Sequence, residues 1–280
     1  SDVILTGFVC LMIGYGTGTV LTERKKMVTL EHSLTLKWSD GVFDDPPIDM
    51  CLGYHNWPPL AAGTVGYHPD VCFSSSDAFD LTIIGRSGHA AHPHLAIDAI
   101  TAAAYFVTQL QTVVSRATDP QDSAVVTVTQ IHAGHAWNVI PDDVILRGTT
   151  RSFRPQVQDT IEPSIRRIAQ GICQAHNCQM EMMYERRYPP TINEAVATKA
   201  AARAAADVSG ADKIVTNPTP SMGAEDFAFM LNEKPGCYVW LGNGPGEGGC
   251  MLHNPNYDFN DDILTVGASY WARLVELELA

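Results

Sequence analysis

Between residues 75 and 188 the chain alternates strand-like and helix-like periodicities in an order that few architectures accept. "DAFDLTIIG" (77–85) ends in a β-branched run and a glycine, the signature of a strand. "LAIDAITAAAYFVTQLQTVVSR" (95–116) spaces its apolar residues three and four apart, as a helix does. "SAVVTVTQI" (123–131) alternates like a half-buried strand, and "DVILRGTTRSF" (143–153) predicts another. "VQDTIEPSIRRIAQGICQAH" (157–176) predicts a helix with Pro163 in its first turns, where proline is tolerated. "QMEMMYERRY" (179–188) predicts the last strand.

The order β-α-β-β-α-β is that of the split, ferredoxin-like unit, with two helices on one face of a four-stranded sheet. Residues 75–188 therefore predict a complete domain. After it, "AVATKAAARAAADVS" (195–209) predicts a helix and "CYVWLG" (237–242) a buried strand. "DDILTVGASYWARLVELEL" (261–279) predicts an amphipathic helix capped by Asp261 or Asp262. Before residue 73 there are strands but no clear helix. The fold class expected is α/β: a two- or three-layer domain made of residues 1–74 and 189–280, with an α+β satellite inserted at 75–188.

Charge and cysteine usage narrow the partners. A formal net charge of −13 over 280 residues repels phosphate backbones, so nucleic acid is not an expected partner. The seven cysteines are odd in number, scattered and without a C-x-x-C, which argues for a reducing compartment and a cytoplasmic location. Residues 3–22 carry no charge, but glycines and threonines interrupt them and no basic segment precedes them. They are read as buried strands and turns, not as a membrane span.

Three histidines fall within six positions in "GRSGHAAHPH" (85–94), open to metal, catalytic or surface readings. An extended path would point His89 and His92 apart, and no acid or cysteine lies in the stretch to complete a metal site. His92 then reads as a surface residue and His94 as a support of the loop or the next helix. "YHNWPPL" (54–60) and "LHNPNYDF" (252–259) each place a histidine before an asparagine and a proline-bearing loop. Either these are metal ligands at strand ends or loop histidines bonded to backbone. "PSMGAEDFAFML" (220–231) puts two adjacent acids before a helix, which is also ordinary capping. "GNGPGEGG" (242–249) lacks nucleotide-loop spacing, and no G-x-S-x-G occurs.

"HNWPPLAAGTVG", "GRSGHAAHPH", "TQIHAGHAWNVIPD", "RGTTRSF", "SMGAEDFAFML", "YVWLGNGPGEGG" and "LHNPNYDFND" occur in this order. Together they resemble the amidohydrolase branch of the aminoacylase-type metallopeptidases, which includes hippurate hydrolase and the auxin-conjugate amidohydrolases. The likeness runs from about residue 40 to 280. It implies a two-metal catalytic domain interrupted by a dimerising satellite, and hydrolysis of N-acyl amino acids. By the same resemblance His55 and His253 are metal ligands, and His89 and Asn138 reach the substrate in the partner's active site. Arg151 becomes the candidate to bind the substrate carboxylate, and Glu225 and Asp226 lie in or just behind the site. Two divalent ions per subunit are implied; His and carboxylate donors suit zinc, manganese, cobalt or nickel.

One departure bears on activity. The family's Cys-Gly-His-Asp motif and its pair of adjacent glutamates, which supply ligands and the general base, are absent. "GTGTV" (16–20) is similar to the strand that leads to the glutamate pair, but Glu23 and Glu31 each stand without an acidic neighbour. Residues 1–38 do not follow the family pattern. The reading adopted is a homodimeric, metal-dependent amidohydrolase. Its rival is a catalytically inactive relative that serves in dimerisation or ligand binding.

Overall fold

The computed structural model describes residues 49–244 and 250–278, with the backbone of two short strands, β1 (Val20–Glu23) and β2 (Lys26–Thr29), which pair antiparallel. The reading of residues 3–19, Glu31, and the stretch 245–249 of the glycine-rich loop lie outside the described residues. The remaining strands are β3 (Cys51–Trp57), β4 (Val65–Tyr67), β5 (Val71–Phe73), β6 (Ser76–Ile84), β7 (Gly88–His89), β8 (Ala124–His132), β9 (Val139–Ile140), β10 (Asp143–Ser152), β11 (Gln179–Tyr188), β12 (Thr191–Ile192), β13 (Ile214–Thr216) and β14 (Gly236–Gly242). The α-helices are α1 (Ala99–Leu110), α2 (Pro155–Ala175), α3 (Ala195–Ser209), α4 (Phe227–Glu233) and α5 (Leu264–Glu278). The chain divides into two compact units: residues 73–190 with 222–224, and the remainder.

In the first of these, β6, β8, β10 and β11 form an antiparallel sheet in the order β11-β6-β10-β8. Alternation along β6 and β10 sends Phe79, Leu81, Ile83, Val144 and Leu146 to one face, where they pack with Ala103 and Phe106 of α1 and with Ile161, Ile165 and Ile172 of α2. Arg147, Thr149 and Arg151 occupy the other face. Two local expectations are corrected. The first helix begins at Ala99, not 95, because the Asp98 carboxylate accepts from Thr101 N and stops the helix there, while Pro93–Leu95 form a separate 3-10 turn. Pro163 lies well inside α2, not in its first turns; Pro155 holds the first helical position. An interior proline removes one i→i−4 bond, and the apolar face of α2 carries the helix past it.

The other unit has a mixed four-stranded sheet, β13-β4-β14-β3. β14 runs parallel to β3 and antiparallel to β4. Every residue of β14 is buried, as a central strand covered on both faces must be. Cys237, Val239 and Leu241 meet the alanine face of α3 and Trp271 and Leu274 of α5, whereas Tyr238 and Trp240 point the other way. The cap of the last helical segment is Asn260, whose side chain accepts from Asp262 N; neither Asp261 nor Asp262 caps it. The six cysteines of the described residues are free thiols. No helix among the described residues is long and apolar enough to cross a membrane.

Candidate functional site

His55 lies near the end of β3, inside the strand and not in the following loop as the sequence suggests, with Trp240 of β14 as its register partner. Its Nδ1 sits 2.7 Å from the carbonyl oxygen of Asn56. A carbonyl only accepts, so Nδ1 carries the proton and Nε2 is the unprotonated nitrogen. That nitrogen lies 3.7 Å from Glu225 Oε2. Burial holds the pKa of His55 below the ordinary histidine value, and the neighbouring His253 pushes the same way. His253 stands in a turn with φ of 66°. The loop after it is tied back to β3: Tyr257 N donates to Asn254 O, and Asn56 Nδ2 donates to the Tyr257 hydroxyl. The asparagine that follows one histidine thus holds the loop that carries the other.

Glu225 is buried beside this pair. Burial raises its pKa to about 8, and the adjacent Asp226 adds to the rise. Tyr238 donates its hydroxyl to Oε2 at 2.9 Å, and Asp226 N donates to Oε1 at 3.1 Å. At neutral pH the contact with His55 therefore joins a largely protonated acid to a neutral imidazole and is not an ion pair. Asp226 precedes α4 and its side chain makes no capping bond, whereas the Glu225 carboxyl accepts from the Asp226 N–H. Tyr238 is a site residue that the sequence did not mark. Its strand reads as core, and nothing local shows which ring meets a carboxyl. Gly53, opposite it in register, makes room: a Cβ there would fall 2.7 Å from the Tyr238 ring.

In the other unit the structure brings His89 and Asn138 together. β7 pairs antiparallel with β9, with His89 opposite Val139, and Ala90 N donates to Asn138 O at 2.9 Å. Ala91 N donates to His89 Nδ1 at 3.1 Å, so in the neutral ring Nε2 bears the proton and is a donor. The passage "GHAAHPH" is not extended as expected. A turn closed by His92 N to His89 O brings the His89 and His92 ring centroids to 5.7 Å, and His92 and His94 to 6.1 Å.

Arg151 projects from the open face of β10 and donates to its neighbour's carbonyl, Thr150 O, at 2.8 Å. Its pKa is lowered by burial, raised by Asp77 and lowered by Arg187. It is eight residues along β10 from Asp143, the end near the β7–β9 ribbon. At about 3.3 Å per residue that is roughly 26 Å of strand. The structure does not bring Arg151 to His89 and Asn138.

The chemistry of His55 fits a divalent metal ion: a neutral ring, an unprotonated Nε2, and the Asn56 carbonyl accepting from the other nitrogen. The number of donors does not complete a site. A zinc ion takes about four ligands, and no group of three or more His, Cys, Asp or Glu among the described residues could hold one.

Residues 24–277 match the model of the peptidase family M20/M25/M40. An N-acetylcysteine deacetylase of Bacillus subtilis is 35% identical over 233 residues, 83% of this chain and 60% of the relative. A hippurate hydrolase of Campylobacter jejuni is 35% identical over 235 residues, 84% of this chain and 61% of the relative. The crystal structure of the Bacillus subtilis YXEP protein, described as a dinuclear metal binding peptidase from the M20 family, aligns with a TM-score of 0.71 at 30% identity. That alignment covers 85% of this chain and 59% of the other. The chain thus spans about 60% of the length of these curated relatives.

Proposed function

The chain belongs to peptidase family M20/M25/M40, and from that premise we propose that it hydrolyses the amide bond of N-acyl amino acids. The observation that carries the reading is the grouping of neutral His55, His253 and the buried acid Glu225 in one unit. Two divalent ions, held by His55, His253 and further donors, would lower the pKa of a water so that hydroxide exists at neutral pH. The chain's own residues supply the binding and polarising groups. Glu225 and Asp226 lie beside these histidines on the substrate side of the site, with Tyr238 fixing the Glu225 carboxyl. The Nε2–H of His89, assisted by Asn138, meets the oxygen that gains charge on the amide carbon. Arg151 grips the amino-acid carboxylate with two parallel bonds.

The placement of these donors supports a homodimer. An N-acyl amino acid is far shorter than the roughly 26 Å of strand between Arg151 and the His89 ribbon. That spacing favours the arrangement the family resemblance implies, in which His89 and Asn138 serve the site of the partner copy. The unit at 73–190 is then a ferredoxin-like satellite inserted into an α/β catalytic domain, and the reducing cytoplasm suits the free thiols.

The test is release of free amino acid from N-benzoylglycine and N-acetylcysteine by the purified chain, with zinc, manganese, cobalt or nickel supplied. Turnover that a chelator removes and the ion restores supports the proposal. Binding without turnover under every ion assigns the chain to the inactive, ligand-binding alternative.

A further inference from the structure

Trp137 is fully exposed, at 105% of its reference area, on the segment that joins β8 to β9. Tryptophan is a highly buried residue on average, and Trp240 and Trp271 of this chain are 1% and 5% exposed. The segment that displays Trp137 is well fixed. Asn138, the next residue, has its carbonyl oxygen bonded to Ala90 N, and Val139 pairs with His89. Gly134 turns the chain at φ of 64° with Pro141 packed close by. A rigid ribbon therefore holds an unburied indole beside the two groups proposed to meet the amide carbonyl.

We infer that Trp137 is a specificity-determining residue that packs against the acyl group of the substrate and favours aromatic acyl groups. The inference rests on the reading of His89 and Asn138 given above. The ribbon's donors address the acyl carbonyl, and the acyl group is bonded to that same carbon. The carboxylate, at the far end of the substrate, belongs to Arg151 of the other copy. An indole next to Asn138 is thus on the acyl side. Indole offers a flat face that pairs well with a second aromatic ring and gains little from a methyl group. The distinction is pertinent because the relatives divide along it: one is a hippurate hydrolase, which by its name acts on a benzoyl amide, and another is an N-acetylcysteine deacetylase.

The experiment compares the full chain with Trp137→Ala and Trp137→Phe on N-benzoylglycine and N-acetylglycine, with light scattering on each protein. The kcat/KM ratio of benzoyl to acetyl substrate should fall about tenfold in Trp137→Ala and stay within about threefold of the parent in Trp137→Phe. The dimer should be unchanged, and the acetyl rate should fall much less than the benzoyl rate. An equal loss on both substrates, no loss on either, or loss of the dimer overturns the inference; the last would show that Trp137 packs on protein. Should the parent turn over neither substrate, the proposed activity fails while the inference is still decided by binding. Calorimetric affinity for N-benzoylglycine should then fall about tenfold in Trp137→Ala, with a blue shift of the parent's tryptophan emission on binding that Trp137→Phe lacks. Unchanged affinity refutes it.

Discussion

Replacing Asp77 by alanine should damage the unit at 73–190 more than any surface change. Asp77 is completely buried at the start of β6. Gln158 Nε2 of α2 donates to its Oδ1 at 2.8 Å, the Tyr184 hydroxyl of β11 donates to Oδ2 at 2.8 Å, and Thr150 Oγ1 approaches Oδ2 at 3.4 Å. One carboxylate therefore ties a helix to three strands. Hydrogen bonds to a charged partner are worth about 1.5–3 kcal/mol each, and a donor left unpaired in the interior costs a similar amount. The two short bonds set the scale at about 3–6 kcal/mol, and the long third bond adds little. That is a large part of a domain's usual 5–15 kcal/mol. In urea, with a slope of about 1–3 kcal/mol per molar, the midpoint should fall by roughly 2 M. Asp77→Asn keeps one acceptor and should lose less than half as much; Tyr184→Phe should lose about 1 kcal/mol. The readout is far-UV circular dichroism along a urea series. A loss below about 1 kcal/mol in Asp77→Ala would show that the three donors find other partners, and the bond-by-bond reasoning would be wrong. On the proposal that Arg151 binds the substrate carboxylate, the network also bears on that binding. Thr150 exchanges a 2.8 Å bond with Tyr184 and its carbonyl holds Arg151, so Asp77→Asn should raise KM more than it lowers kcat.

Three further outcomes are expected. In a form with the full catalytic domain of the family, His89→Ala should leave metal content and assembly as in the parent while kcat falls by about 10²–10³ with a much smaller change in KM; loss of metal in step with activity, measured by elemental analysis, would revive the three-histidine metal site. Metal itself should be held weakly or at partial occupancy, because His55 and His253 are too few donors for two ions; two tightly bound ions per chain would show that other residues complete the set. His68 is buried, with Nε2 bonded to Pro218 O, and its pKa is lowered chiefly by burial. A depressed histidine contributes stability that is complete above the unfolded value of about 6.5 and is lost as the pH falls. The melting temperature should drop between pH 7.5 and 5.5, and less so in His68→Phe; an equal drop in both would exclude His68 as the cause.

The alternation in β6 and β10 and the spacing in α2 were legible because one face of each is buried against a single apolar layer. The errors came where a local bond outranked the pattern. The helix pattern extends back to residue 95, yet Asp98 captures Thr101 N and ends it there. Periodicity says where a helix can run; a cap says where it does. Likewise Pro163 breaks the rule for helix interiors, and α2 survives because burial of Ile161, Ile165 and Ile168 outweighs one missing bond.

The site divides in the same way. His55 and His253 could be singled out because histidine before asparagine in two proline-bearing passages is an uncommon pairing, and their nearness follows from a bond between the residues around them, Asn56 and Tyr257. Glu225 could be singled out but not assigned. A carboxylate before a helix is ordinarily an exposed cap, stabilised as the anion. Here the Glu225 carboxyl turns inward to Tyr238, so burial reverses the preference and favours the protonated form. That reversal depends on Gly53 leaving space for the Tyr238 ring, on a strand about 170 residues earlier in the chain. A single sequence carries the glycine, the tyrosine and the acid as three unrelated letters. Only the pairing of β3 with β14 makes them one environment, and that environment, not the residue type, decides whether the Glu225 carboxyl acts as an acceptor or as a donor.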